Sequence, residues 1–129
     1  MKHDTLADMM SNILNAERTG KSATQSTPNS KLNLKVLEIM KERGYIKSFE
    51  VINNREGGIL KIQLNGRINN CGAIKPRFSV SVNEIEKFEK RYLPARGFGV
   101  IMLSTTKGVI MNYAAKEEKI GGTLLAFCY

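Results

Sequence analysis

Residues 100–122 read V-I-M-L-S-T-T-K-G-V-I-M-N-Y-A-A-K-E-E-K-I-G-G. The apolar run from Gly97 to Leu103 has the composition of a buried strand. It gives way to three hydroxyls, a lysine and a glycine. A helical stretch around Asn112 to Lys119 follows, then Gly121-Gly122, then a last strand-like run from Leu124 to Tyr129. Strand, polar turn, helix and strand in so short a span predict an α+β fold.

The residues N-terminal to this window fit the same class. Arg67 to Ile74 and Phe78 to Val82 have strand composition, the second with F-S-V-S-V in period-two alternation. Pro76 marks a turn or an edge between them. Asn83 opens a short helix with Ile85, Phe88 and Tyr92 at helical spacing, closed by Pro94. Gly66 is the expected boundary between two small lobes, residues 1–65 and 66–129.

In the first lobe, Leu6, Met9, Met10, Ile13 and Leu14 form one apolar stripe on a helix. Thr5 with Asp8 resembles a capping box, Asp4 is an alternative cap, and Gly20 suits the C-terminal end. Ser22 to Pro28 fits a short edge strand. Asn29-Ser30 caps a second helix whose core face includes Leu32, Val36, Ile39 and Met40, and Gly44 ends it. Tyr45 to Ile52 and Ile59 to Leu64 are strands joined through the turn signal N-N-R-E-G-G. Leu60, Ile62 and Leu64 share one face; Lys61 and Gln63 share the other. The lobe therefore reads α-β-α-β-β, and its partner as mostly antiparallel β with short helices.

Composition narrows the function classes. The 129 residues carry 20 Lys and Arg against 12 Asp and Glu, a formal charge of +8. Residues 1–65 hold ten basic and seven acidic side chains; residues 66–129 hold ten and five. A basic balance on a small domain favours a polyanionic partner, nucleic acid first. No apolar run reaches the ~20 residues that span a bilayer, so no membrane partner is expected. The start M-K-H-D-T-L-A-D-M-M has no secretory pattern, and Cys71 and Cys128 lack a CxxC, which read as reduced thiols of a cytoplasmic protein.

Three chemistries compete for Ser104-Thr105-Thr106-Lys107-Gly108. Ser104-x-x-Lys107 matches the S-x-x-K of serine acyl-transfer enzymes, but that motif needs the serine to open a helix. Gly108 weakens such a helix, and no S-D-N or K-T-G companion occurs. A plain strand-to-helix connection with capping hydroxyls is the second reading. The third is a polar loop for RNA: hydroxyls for phosphates or base edges, a lysine as point charge, a glycine for close backbone approach. Only Tyr92, Tyr113 and Tyr129 could stack on bases here, so recognition by shape, 2′-hydroxyl and minor groove fits better than a single-strand platform. His3 is the sole histidine, so no metal or other cofactor is expected, and no phosphate loop for a small-molecule substrate is present. An enzyme is not expected. A protein-interaction or DNA-binding module stays open, although no helix carries the basic and amide run suited to the major groove.

The stretch S-T-T-K-G-V-I-M-N-Y-A-A-K-E-E-K-I-G-G closely resembles the signature of the family of protein eight of the small ribosomal subunit. L-A-D-M-M-S-N-I-L-N-A at 6–16, P-N-S-K-L at 28–32 and E-R-G-Y-I at 42–46 resemble it too. K-P-R-F at 75–78 and L-P-A-R-G-F-G at 93–99 look like its archaeal and eukaryotic branch. The resemblance implies a two-lobed, non-catalytic scaffold that binds an irregular stem in the central domain of small-subunit rRNA beside other ribosomal proteins. It also leaves open a translational repressor acting on its own mRNA. The implied contacts are Ser104, Thr105, Thr106, Lys107 and Gly108, with Gly121 and Gly122 shaping the adjacent turn. Asn29, Ser30 and Lys31 would add backbone contacts at the second helix. Two positions depart from bacterial members: Thr123 replaces a glutamate after Gly-Gly, and Ser79 to Val82 replace an aromatic-basic cluster, with Arg77 nearby as a substitute charge.

Overall fold

The computed structural model describes residues 5–26, 31–52, 59–75, 77–95 and 97–129. The expected contacts Asn29 and Ser30, the cap at Asp4, the turn at 53–58, Pro76 and His3 lie outside the described residues, as does the side chain of Thr5. The chain divides into two compact units, Met1–Gly72 and Ala73–Tyr129. Gly66, the expected boundary, follows the last strand of the first sheet, and residues 66–72 group with the first unit.

The first unit holds α1 (Thr5–Arg18), β1 (Ala23–Ser26), α2 (Lys31–Glu42), β2 (Ile46–Ile52) and β3 (Ile59–Leu64). Its antiparallel sheet has the order β1-β3-β2. The helical stripe does what its spacing predicts. Leu6, Met9, Met10 and Ile13 are fully buried, while Leu14 is half-buried. On α2, Leu37 joins Val36, Ile39 and Met40 in the core, a buried arc wider than a strict stripe, while Leu32 in the first turn is only half-buried. Leu60, Ile62 and Leu64 are buried in alternation with half-buried Lys61 and Gln63. Both helices close with paired main-chain bonds: Lys21 N–H donates to Ala16 O (2.9 Å) and Tyr45 N–H to Met40 O (2.9 Å), wrapping around Gly20 and Gly44.

The second unit's sheet has the order β4-β8-β6-β7, with β5 also pairing β8. Its elements are β4 (Cys71–Ala73, of which Cys71 and Gly72 group with the first unit), β5 (Ser79–Val80), a 3-10 turn (Val82–Glu84), α3 (Ile85–Tyr92), β6 (Val100–Thr105), β7 (Gly108–Met111), α4 (Asn112–Glu118) and β8 (Gly122–Cys128). The chain is thus α+β in two lobes, the second mostly antiparallel β with short helices. Its core gathers Ile74, Val80, Ile85, Phe88, Leu93, Ile101, Leu103, Ala115 and Leu124.

Several boundaries differ from the expectations, each for a local reason. The expected strand 67–74 shrinks to Cys71–Ala73. The expected strand 78–82 shrinks to Ser79–Val80 because Ser81 opens the helical turn. There the Ser81 N–H and hydroxyl both donate to Glu84 Oε1, at 3.1 and 3.0 Å. Those bonds, the backbone one foremost, hold the Glu84 carboxyl below its ordinary value. The cap's contribution is therefore complete above the ordinary carboxylate pKa and lost as pH falls through the depressed one. The expected strand 97–103 begins only at Val100. Gly97 and Gly99 take left-handed φ of 80° and 81°, and the Tyr113 hydroxyl donates to Gly99 O at 2.8 Å. It also runs on to Thr105, and Gly108–Met111, expected within the turn, forms the strand β7 paired with it.

Candidate nucleic-acid interface

Ser104 and Thr105 are the last residues of a strand, and Thr106-Lys107 is a two-residue turn back into β7. The register pairs Met102 with Met111, Leu103 with Ile110, Ser104 with Val109 and Thr105 with Gly108. The strand-to-helix connection is corrected by this: the polar stretch is a hairpin tip, and α4 starts only at Asn112. The S-x-x-K geometry is absent for the same reason, since Ser104 lies in a strand and not at a helix start.

The tip divides its hydroxyls between two duties. Thr105 Oγ1 donates to Gly108 O at 2.8 Å and accepts Lys107 N–H at 3.1 Å, so this hydroxyl closes the turn. Gly108 takes φ +101°, a backbone conformation that side-chain-bearing residues rarely adopt, where the chain re-enters β7. Ser104 and Thr106 are exposed, and their hydroxyls have no protein partner among the described residues. Lys107 Nζ lies 3.4 Å from Glu118 Oε1 at the end of α4, with the two side chains 59% and 42% exposed. Such an exposed pair is worth little, so the ammonium is available to a stronger anion.

Behind the tip, β8 runs between β5 and β6. A Cβ on Gly121 would stand 2.3 Å from Val80 O, and one on Gly122 would stand 2.5 Å from Ser104 O and 2.8 Å from Thr105 Cγ2. The glycine pair therefore sets how closely β8 approaches the neighbouring strands. That closeness aligns residues far apart in sequence: Ser79 pairs with Thr123, and Thr123 with Ser104. Paired residues share a face, so three hydroxyls stand in one row across three strands. Ser79 and Thr123 were not among the expected contacts. The signal for Ser79 was the F-S-V-S-V alternation, which puts it opposite buried Val80.

Asn112 anchors the hairpin from behind. It is fully buried at the β7–α4 junction, accepts Ile101 N–H at 3.1 Å and donates to Glu89 Oε2 of α3. Glu89 Oε1 accepts from Lys116 Nζ at 2.7 Å, completing a polar network over α3, α4 and β6. Lys119 ends α4 at φ 57°, ψ 43°, the one non-glycine with positive φ among the described residues. Lys119→Gly should raise stability by about 0.5–1 kcal/mol, the relief of a left-handed side chain less the extra freedom of the unfolded glycine. Urea unfolding would show it as a higher midpoint; an unchanged or lower midpoint would contradict it.

In the first unit, Lys31 is the first residue of α2 and is exposed. Among the described residues no group of His, Cys, Asp and Glu could hold a metal, and no helix is long and apolar enough to cross a membrane. Cys71 and Cys128 are both buried and neither forms a disulfide, and burial first of all raises the Cys71 thiol to about 12.

The chain matches the family profile described as Ribosomal protein S8 over residues 4–129. It is 51% identical to the small ribosomal subunit protein uS8 of Archaeoglobus fulgidus over 129 residues, covering 100% of both chains. It is 54% identical to the protein of that name from Thermoplasma acidophilum, again over 100% of both chains. With its counterpart from Nanoarchaeum equitans it shares 48% identity at the same coverage.

Proposed function

The chain belongs to the ribosomal protein S8 family, and on that premise we propose that it binds the central domain of small-subunit rRNA through the β6–β7 tip. Membership makes it a structural, non-catalytic protein of the small ribosomal subunit, located on the ribosome among rRNA and other ribosomal proteins. The finer reading is that it attaches early to an irregular rRNA stem and supports assembly there.

One observation carries this reading: the tip spends the Thr105 hydroxyl on its own turn and leaves Ser104, Thr106 and Lys107 outward. Ser104 and Thr106 offer hydroxyls that both donate and accept, which suits the 2′-hydroxyls and base edges of a wide RNA minor groove. Lys107 supplies the phosphate contact, and the Gly108 backbone allows close approach. Gly121 and Gly122 act through the strand spacing they permit. Thr105 contributes by shaping the turn. Lys31 adds a phosphate contact at the start of α2, where a helix N-terminus presents free amides, and the sequence extends this expectation to Asn29 and Ser30.

Filter binding to structured RNA, duplex DNA and single strands tests the reading. A preference for one irregular RNA stem is expected, and equal affinity for duplex DNA would refute it. Ser104→Ala should lower RNA affinity by about 1–3 kcal/mol while leaving the urea midpoint in place. Lost stability with normal RNA binding would assign Ser104 a purely structural role. Lys107→Ala should flatten the dependence of log affinity on log salt by about one unit.

A further inference from the structure

We propose that the outer face of α3 is a second, electrostatic RNA contact that grips the phosphodiester backbone of an rRNA segment other than the one at the hairpin tip. The inference rests on the RNA-binding reading above and extends it to a separate surface. Asn83, Glu86, Lys87, Phe88, Lys90 and Arg91 line an open hollow of about 730 Å³ along this face. All except Phe88 are exposed.

The charges of this helix and its cap differ in how they are engaged. Glu84 is held by the Ser81 N–H and hydroxyl, and Glu89 by Asn112 and Lys116. Two carboxylates are thus engaged within the protein. Lys87, Lys90 and Arg91 form no ion pair among the described residues, and Glu86 is the one acid left in the hollow. The hollow therefore holds three cations against the one acid Glu86, with the Ser81-bound, exposed Glu84 acting on Lys87 from beside it.

The geometry suits a phosphate chain better than a single anion. Lys87, Lys90 and Arg91 stand at i, i+3 and i+4, neighbours on one helix surface at about 5–6 Å between Cβ atoms. They can engage successive phosphates of one strand. The Arg91 guanidinium lies 5.8 Å from the Phe78 ring centroid and 5.9 Å from that of Phe88. Those rings hold its planar fork in place, and less freedom is lost when it meets a phosphate. An acidic protein segment would meet the same charges, but the fork and the open hollow favour the regular anion spacing of nucleic acid.

This face is distinct from the tip. Ile85 and Phe88 anchor α3 on the core side of the sheet, with Leu103 and Leu124. Ser104, Thr123 and Ser79 alternate to the other side. One lobe thereby presents hydroxyls on one side and free cations on the other, so it can tie two RNA segments together.

The test uses the full chain, wild type against Lys87→Gln/Lys90→Gln, two exposed positions outside the core. Affinity and its salt dependence are measured on full-length small-subunit rRNA and on the isolated stem. On the long RNA the double variant should bind roughly 10–30-fold more weakly near 0.15 M salt, with a salt slope flatter by about two units. On the isolated stem it should equal wild type. Hydroxyl-radical footprinting should lose one protected segment and keep the stem's protection. Equal affinity and slope on the long RNA would overturn the proposal, and so would an equal loss on the stem. Unchanged RNA behaviour with weaker capture of another ribosomal protein would give the face to an acidic protein partner and also overturn it. Failure of wild type to prefer the stem would instead refute the reading of the tip, and it shows in the wild-type arm alone.

Discussion

Gly122→Ala should lower stability by about 2–3 kcal/mol and weaken RNA binding in the same protein. The added Cβ would sit 2.5 Å from Ser104 O and 2.8 Å from Thr105 Cγ2, and the first of these is backbone that no rotamer change can move. Relief requires β6 and β8 to separate where Thr123 pairs with Ser104. The Ser104 hydroxyl then leaves its row, and the Thr105 turn shifts with it. Gly121→Ala is the informative companion. Its Cβ would meet Val80 O at 2.3 Å and Ser81 Cα at 2.9 Å, so strain falls on β5 and the start of the helical turn. Both variants should unfold at lower urea, but at matched folded fraction Gly122→Ala should bind RNA the more weakly of the two, since its strain falls directly on Ser104. A Gly122→Ala protein with the wild-type urea midpoint would remove the close-approach argument.

Asn112→Leu should cost about 2–4 kcal/mol despite similar size. The variant strands the Ile101 N–H in the core and deprives Glu89 of its amide donor. The Ile101 N–H cannot reach water without opening the sheet, whereas half-buried Glu89 keeps Lys116 as a partner. Asn112→Asp separates the two losses. It keeps an acceptor for Ile101 but sets a second carboxylate against Glu89. Like charges at hydrogen-bonding distance raise the pKa of one member of the pair. A raised folded pKa gives stability that is present at low pH and lost as pH rises through it. The deficit of Asn112→Asp relative to wild type should therefore be smaller near pH 5 than near pH 7. Thermal unfolding at the two pH values checks this, and a deficit independent of pH would mean that the two carboxylates do not face each other.

The first lobe was legible because its signals are local. Leu6, Met9, Met10 and Ile13 repeat at the helical period, and Leu60, Ile62 and Leu64 at the strand period. Burial follows from those periods whatever the neighbours are. The second lobe was less so. F-S-V-S-V promised a five-residue strand, yet Ser81 turns the chain into a helix because Glu84 is placed to accept from it. The strand β7 was missed because V-I-M between a glycine and a helix is too short to show a period. Its pairing with β6 is what makes it a strand. The polar stretch at 104–108 could be recognised as a presented turn, but not as one whose hydroxyls have divided duties.

Apolar spacing, the punctuating glycines and the hydroxyl-lysine-glycine cluster in the sequence were enough to determine the α+β class and most of the core, and to single out the stretch proposed as the interface. These properties depend on residues within a few positions of one another, where the chain itself fixes the distances. Only the tertiary structure decided that Thr105 closes the turn while Ser104 is free, that Ser79 and Thr123 stand beside Ser104, and that Ser81 holds the exposed Glu84 carboxylate while Asn112 and Lys116 hold that of Glu89. A strand's period of two tells which face a side chain takes and not which strand lies next to it. Register and strand order arise from packing the whole sheet.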